Sequence, residues 1–283
     1  MTAAAMEPIV LAEGLRFPEG PVFDASGALW CVELQGGALA RIAAPGDVRR
    51  FEVGGAPNGL AAGADGSLWI CDAMLGAVRR LEPKAGRLET VIDALDGAPL
   101  DKPNDLAFHP SGGLVFSCPG DLRTEPTGYV VFTGEDGRSK RLADGLYFPN
   151  GVAFNAAGDL IVAETRRQRL WRGGFDPAGA WIDPQVLCQT SGPIGPDGLA
   201  VARDGRLFVA VYGASHVAVF APDGEALAPL PIPGANPSNC AFDPHGRWGL
   251  VVTETEHGRL LAYPHAGPGL PLALGPDHFG DRQ

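Results

Sequence analysis

Hydrophobic positions in this chain fall in short runs, mostly three to five residues long, split by polar turns that carry glycine. "PVF" leads through "DASG" to "ALWCV" over 21–32, "LAF" through "HPSGG" to "LVFS" over 106–117, and "VAF" through "NAAGD" to "LIVA" over 152–163. Short β-rich runs separated by Gly and Asp turns predict hairpins. No long window carries a helical period, which weakens an α/β reading. A third run follows in each unit, as in "GALARI", "RLWRG", "HVAVF" and "RLLAY", and a fourth, such as "RRFEV" or "SKRLA", precedes the next unit.

Every unit opens on one frame: "FPEG" at 17, "APNG" at 56, "KPND" at 102, "FPNG" at 148, "GPDG" at 195 and "NPSN" at 236, with spacings of 39, 46, 46, 47 and 41 residues. Four short antiparallel strands repeated six times predict an all-β, six-bladed β-propeller with four-stranded blades, a single domain over 1–283. Ring closure needs the two ends of the chain to share a blade. "PIVLAEGL", ahead of the first frame, is the strand expected to complete the blade that ends in "RLLAY", leaving no long open edge.

In such a ring the innermost strands line a central channel, so equivalent frame positions converge on one axis. The residue after proline is Glu19, Asn58, Asn104, Asn150, Asp197 or Ser238. Two carboxylates and three amides would meet there with no Lys, Arg or His in the ring. Close, unpaired carboxylates repel and are costly to bury. A divalent cation removes that cost, and oxygen donors favour a hard ion: Ca²⁺, Mg²⁺ or Mn²⁺, with Zn²⁺ also open. The competing reading is that these residues shape turns, where Asn and Asp are common. That suits Asn58 and Ser238 but accounts poorly for Glu19.

Composition narrows the options. Forty glycines and 26 prolines over 283 residues suit a fold of many turns, and the net charge of −11 argues against nucleic acid. The pairs at 49–50, 79–80 and 166–167 read as isolated, solvated arginines. No apolar run nears the ~20 residues of a membrane span, and the start "MTAAAMEPIV" has no signal-peptide pattern. The five cysteines lack metal-ligand spacing, and Cys31, Cys71 and Cys118 sit in apolar runs as small hydrophobes. An odd count with no export signal predicts a reduced, cytoplasmic protein.

The frames carry a resemblance. "FPEGPVFD" at 17–24, "KPNDLAFHPSGGLVF" at 102–116, "FPNGVAFN" at 148–155 and "GPDGLAV" at 195–201, in this order and spacing, resemble the gluconolactonase, regucalcin and senescence-marker-protein family over essentially the whole chain. The resemblance implies one divalent metal in the channel, held by Glu19, Asn150 and Asp197. It implies that Asn104 lies beside metal and substrate, that Asp197 doubles as general base, and that the reaction is hydrolysis of a sugar lactone to an aldonic acid. Many relatives have arginine where this chain has Lys102. Lysine cannot make the planar bidentate grip of arginine, so substrate choice is the open point. The long polar stretch 118–132 is either a lid offering Arg123, Glu125 and Tyr129 to a sugar or an ordinary exposed hairpin.

Three function classes follow: a metal-dependent lactonase, another hydrolase of aryl esters or organophosphates on the same scaffold, and a non-catalytic binding propeller. The Glu19–Asp197 pair counts against the last. No Gly-x-Ser-x-Gly elbow or H-E-x-x-H spacing occurs. His109 and His245 fall in hairpin turns and are expected to face solvent. Glu33, Asp72, Glu164 and Glu254 recur at the end of the second strand and are expected to shape turns there.

Overall fold

A computed structural model describes residues 7–110, 112–120, 124–176 and 178–276. Six four-stranded antiparallel sheets make the fold. Blade 1 runs Pro18–Phe23, Leu29–Glu33, Ala38–Ala44, Asp47–Glu52, and blade 2 Pro57–Ala62, Leu68–Asp72, Ala77–Glu82, Arg87–Ile92. Blade 3 runs Leu106–Phe108, Leu114–Cys118, Gly128–Thr133, Ser139–Leu146, and blade 4 Pro149–Phe154, Leu160–Glu164, Arg169–Asp176, Ala180–Gln189. Blade 5 runs Gly195–Val201, Leu207–Tyr212, His216–Phe220, Ala226–Pro231. Blade 6 takes Pro237–Phe242, Leu250–Glu254 and Arg259–Tyr263, and Ile9–Ala12 pairs with its third strand as the fourth. The expected closure between the two ends is therefore present, and the frames open the inner strands.

The core lies between blades. Each of six buried clusters joins two neighbouring blades, and the cluster of Leu11, Phe23, Leu29, Val251 and Leu260 joins blade 6 to blade 1. A six-membered cycle of such interfaces leaves every sheet buried on both faces. This explains why second strands such as Leu29–Glu33 and Leu160–Glu164 are buried at every position. All five cysteines are unpaired and buried. No helix of the described residues is long and apolar enough to cross a membrane.

Two features were not expected. A short hairpin, Ala94–Leu95 with Ala98–Pro99, sits in the link between blades 2 and 3. Residues 268–275 strap the far end of the channel: Leu270 N–H donates to Val201 O on blade 5, and Gly275 N–H donates to Ala62 O on blade 2. The reading of the arginine pairs as solvated fails at 79–80. Arg79 is buried, with Nη1 2.7 Å from Asp72 and Nη2 donating to Val53 O, because it reaches into the link that joins blade 1 to blade 2.

Candidate functional site

Inner strands do not run straight at the frame. Register breaks between Glu19 and Val22, Pro57 and Leu60, Pro149 and Val152, and Pro196 and Leu199. A bulge of this kind re-aims the side chains it carries. The glycine after the polar residue lets neighbouring inner strands touch: a Cβ on Gly20, at φ 50°, would lie 2.7 Å from Asn58 O. Blade 3 departs, since its inner strand starts only at Leu106. Its frame is held instead by Gly59 N–H donating to Asn104 O and Asn104 N–H donating to Ser117 O.

These contacts bring Glu19 and Asp197 into one electrostatic site. Glu19 is 5% exposed and Asn150 likewise, while Asn58, Asn104 and Asp197 are partly open. Burial pushes the Glu19 carboxyl up to about 7, against the Gly20 N–H at 2.8 Å and the polar side chains of Ser238 and Asn239, which ease its ionisation. Burial, and then the negative charge of Glu19, hold Asp197 well above the usual carboxylate range, with the Asn150 side chain opposing. Ser238 is fully buried, and its hydroxyl donates to Pro18 O across the blade 6–blade 1 boundary.

Asp105 is the residue that sequence reasoning missed. It takes the place of the frame glycine in "KPND", and the charges of both Glu19 and Asp197 feel it. Its carboxylate accepts from Leu106 N–H at 3.0 Å and from Val152 N–H of blade 4 at 3.2 Å. Burial raises it to about 7. Asn239 is the other frame residue standing where glycine usually does, with Oδ1 accepting from Cys240 N–H. The signal was present in "KPND" and "NPSN": a side chain at a position that otherwise needs none.

Among the described residues no lysine, arginine or histidine forms an ion pair with Glu19, Asp105 or Asp197. Buried carboxylates with only amide, hydroxyl and backbone partners make an oxygen donor set suited to a hard divalent cation. A cavity of about 120 Å³ lies beyond them, towards the strap. Its walls are the apolar residues after each frame, such as Val22, Leu60, Phe108 and Leu199, and it reaches the acids only at Asp105. This cavity is therefore not where the charges are.

The other expected residues divide. Lys102 is exposed at φ 55°, with Nζ 3.9 Å from Asp101 Oδ1. Glu125 is exposed in the turn between the second and third strands of blade 3, and Arg123 lies outside the described residues. Tyr129 is not offered to a ligand: it is 5% exposed, its hydroxyl accepts from Asp101 N–H, and Arg141 covers its ring at 4.2 Å. His109 does not face solvent either. It packs 4.8 Å from both Phe154 and Phe175, and burial lowers its pKa. Glu254, Glu256 and His257 form a further acidic group, but Glu254 is already engaged by the N–H groups of Glu256 and His257.

Residues 17–256 match the family described as the SMP-30/Gluconolactonase/LRE-like region. The chain is 30% identical to a gluconolactonase of Zymomonas mobilis over 67% of its own length and 58% of that protein's. It is 27% identical to the diisopropyl-fluorophosphatase of Loligo vulgaris over 93% of this chain and 94% of that one. Among solved structures, a gluconolactonase of Xanthomonas campestris superposes with a TM-score of 0.80 at 26% identity, covering 93% of each chain. With a match running from the first frame to the last blade, the chain belongs to the SMP-30/gluconolactonase/LRE-like family.

Proposed function

We propose that this protein is a metal-dependent lactonase that opens a sugar lactone of the gluconolactone type. Glu19, Asn150 and Asp197 would hold one divalent cation (Ca²⁺, Mn²⁺, Mg²⁺ or Zn²⁺), with Asn104 and Lys102 meeting the substrate and Glu125 on the loop above. The reading is carried by one observation: the buried carboxyls of Glu19 and Asp105 and the partly open one of Asp197 gather at the head of the channel with no cationic partner among the described residues. Asp197 can accept a proton at neutral pH only if positive charge offsets its burial and the charge of Glu19.

A bound cation supplies the positive charge against which negative charge on a lactone carbonyl oxygen is stabilised. The chain's own groups do the rest. Asp197, partly accessible at the mouth, takes a proton from water as the water oxygen bonds to the carbonyl carbon. The ring C–O bond then breaks, the proton held by Asp197 passes to the departing ring oxygen, and a hydroxy acid results with the carboxylate restored. Asn150 beside Asp197 fixes the carboxylate's orientation.

Acid release from δ-gluconolactone, followed with native, chelator-stripped and metal-refilled protein, tests this reading. Activity should vanish on stripping and return on refilling. Full turnover by protein shown metal-free by elemental analysis overturns it. A second reading, hydrolysis of aryl esters or organophosphates at the same site, is favoured by the similarity to the squid diisopropyl-fluorophosphatase across 93% of the chain. The five free, buried thiols suit a single domain working in the cytoplasm.

A further inference from the structure

The mouth above the acids has an apolar side. Phe17 precedes Glu19 by two residues on blade 1, and Tyr212 ends the second strand of blade 5, opposite Gly195. Their rings stack at 6.4 Å with an interplanar angle of 24°. Blades 1 and 5 are not neighbours, because blade 6 lies between them. The stacked pair therefore spans the head of blade 6, where Ser238 is fully buried, and Thr255 Oγ1 of that blade donates to the Tyr212 hydroxyl at 3.3 Å.

Phe148 holds the same frame position on blade 4. Phe17 and Phe148 both have φ 61°, a left-handed backbone that is an outlier for a bulky residue. Both carbonyls are tied down, accepting from Leu34 N–H and Thr165 N–H respectively. Strain of this kind persists where the surrounding structure dictates it, and it clusters at functional sites. Both rings stay partly exposed. Across the six blades this frame position reads Phe17, Ala56, Lys102, Phe148, Gly195 and Asn236. Two of the six are aromatic, so the mouth offers apolar ring faces beside its polar groups.

We infer that the mouth takes lactones carrying an alkyl or aryl substituent, which packs against the Phe17–Tyr212 pair and Phe148. The inference rests on the lactonase reading and extends its substrate class. Its test uses the full-length, metal-loaded protein with δ-valerolactone and δ-nonalactone, which share a ring and differ by a butyl tail. Burying several methylenes on the aromatic wall should lower KM for the tailed lactone by at least about tenfold at similar kcat. In Phe17→Ala and Tyr212→Ala the ratio of the two KM values should move towards one, while Tyr212→Phe, which keeps the ring, should keep the ratio.

Equal KM values for the two lactones in the native protein overturn the inference, as does an unchanged ratio in both alanine variants. Loss of the ratio in Tyr212→Phe does the same, because it would assign the effect to the hydroxyl. Should Phe17→Ala fail to fold, Tyr212→Ala decides. Hydrolysis of δ-gluconolactone without any tail effect leaves the lactonase reading standing and removes this one. No hydrolysis of any of the three lactones removes both.

Discussion

Two sets of buried acids recur in this molecule, and they live differently. The outer set, Glu33, Asp72, Glu164 and Glu254, ends the second strands and has no exposed surface. Each member is surrounded by donors. Asp72 accepts from Ala56, Met74 and Leu75 N–H and from Arg79, and Glu164 accepts from Tyr147 N–H, Arg169 and Trp171 Nε1. Glu33 pairs with Arg50, and Glu254 accepts from the backbone N–H groups of Glu256 and His257. The inner set, Glu19, Asp105 and Asp197, is buried by the same repeat but feels mainly its own members' charges. An acid that comes with its donors is tied into the fold, while the inner acids have no cationic partner among the described residues.

The sharpest way to break this comparison is Asp197→Asn. The substitution keeps size and turn-forming capacity. If Asp197 is a ligand and proton acceptor, turnover of δ-gluconolactone should fall at least about a hundredfold, within the ~10²–10⁴ typical of a positioned base. Asn58→Ala, in a ring position given no ligand role, should lose far less, with both variants folded by circular dichroism. Near-native turnover in folded Asp197→Asn would make the inner acids turn residues.

The outer set should respond in stability. Asp72→Ala leaves the buried Arg79 guanidinium without its counter-charge, which typically costs about 3–5 kcal/mol, readable as a lower urea midpoint at unchanged slope. Glu19→Gln in metal-free protein should cost nothing or stabilise, since it removes one of three mutually repelling carboxyls. Comparable losses from both substitutions would erase the distinction.

The propeller was legible because each blade must solve the same packing problem with the same frame, and the six inner strands begin at or just after the six frames. The outer acids were legible as strand-end residues, though not as ion pairs, since their arginines come from third and fourth strands whose register the sequence does not state. Arg79 illustrates this: a charged pair in print, a buried partner in space. Asp105 was not legible because it stands at the frame position that glycine fills in four of the six blades, where the repeat calls for no side chain. The strap at 268–275 left no trace in the repeat, because it belongs to no blade. His109 and Tyr129 were misjudged for a common reason, that loop position says little about which neighbouring blade covers a side chain.

The inner acids also predict a pH dependence. Glu19 and Asp105 titrate near 7 in the fold, above their ordinary values of 4.5 and 3.8. Between those limits the folded, metal-free protein keeps protons that the unfolded chain has released. Their contribution is therefore fully present below the ordinary values and is lost as pH rises through about 7. The Tm of metal-free protein should fall from pH 5 to pH 8, and saturating Ca²⁺ or Mn²⁺ should flatten or reverse the slope by taking the place of the protons. A metal-free Tm that does not fall over that range would mean the inner acids have compensation not apparent in their surroundings.

The smallest expected effect concerns Lys102, which could blur the comparison if it were the inner acids' own cation. Its Nζ lies 3.9 Å from Asp101 and its side chain is 48% exposed, which sets it at the surface and not among the buried acids. Its place two residues before Asn104 suits a role in holding a substrate hydroxyl or carboxylate. Lys102→Ala should then raise KM by about tenfold, the worth of one charge-assisted hydrogen bond, and leave divalent-metal affinity within about twofold on the same scale. The opposite pattern, an unchanged KM with metal binding altered and metal-free protein destabilised, would show that the inner acids carry a resident counter-charge after all. Isothermal titration with Mn²⁺ alongside steady-state kinetics on one preparation separates the two, because the first reads only the acids and the second only the substrate.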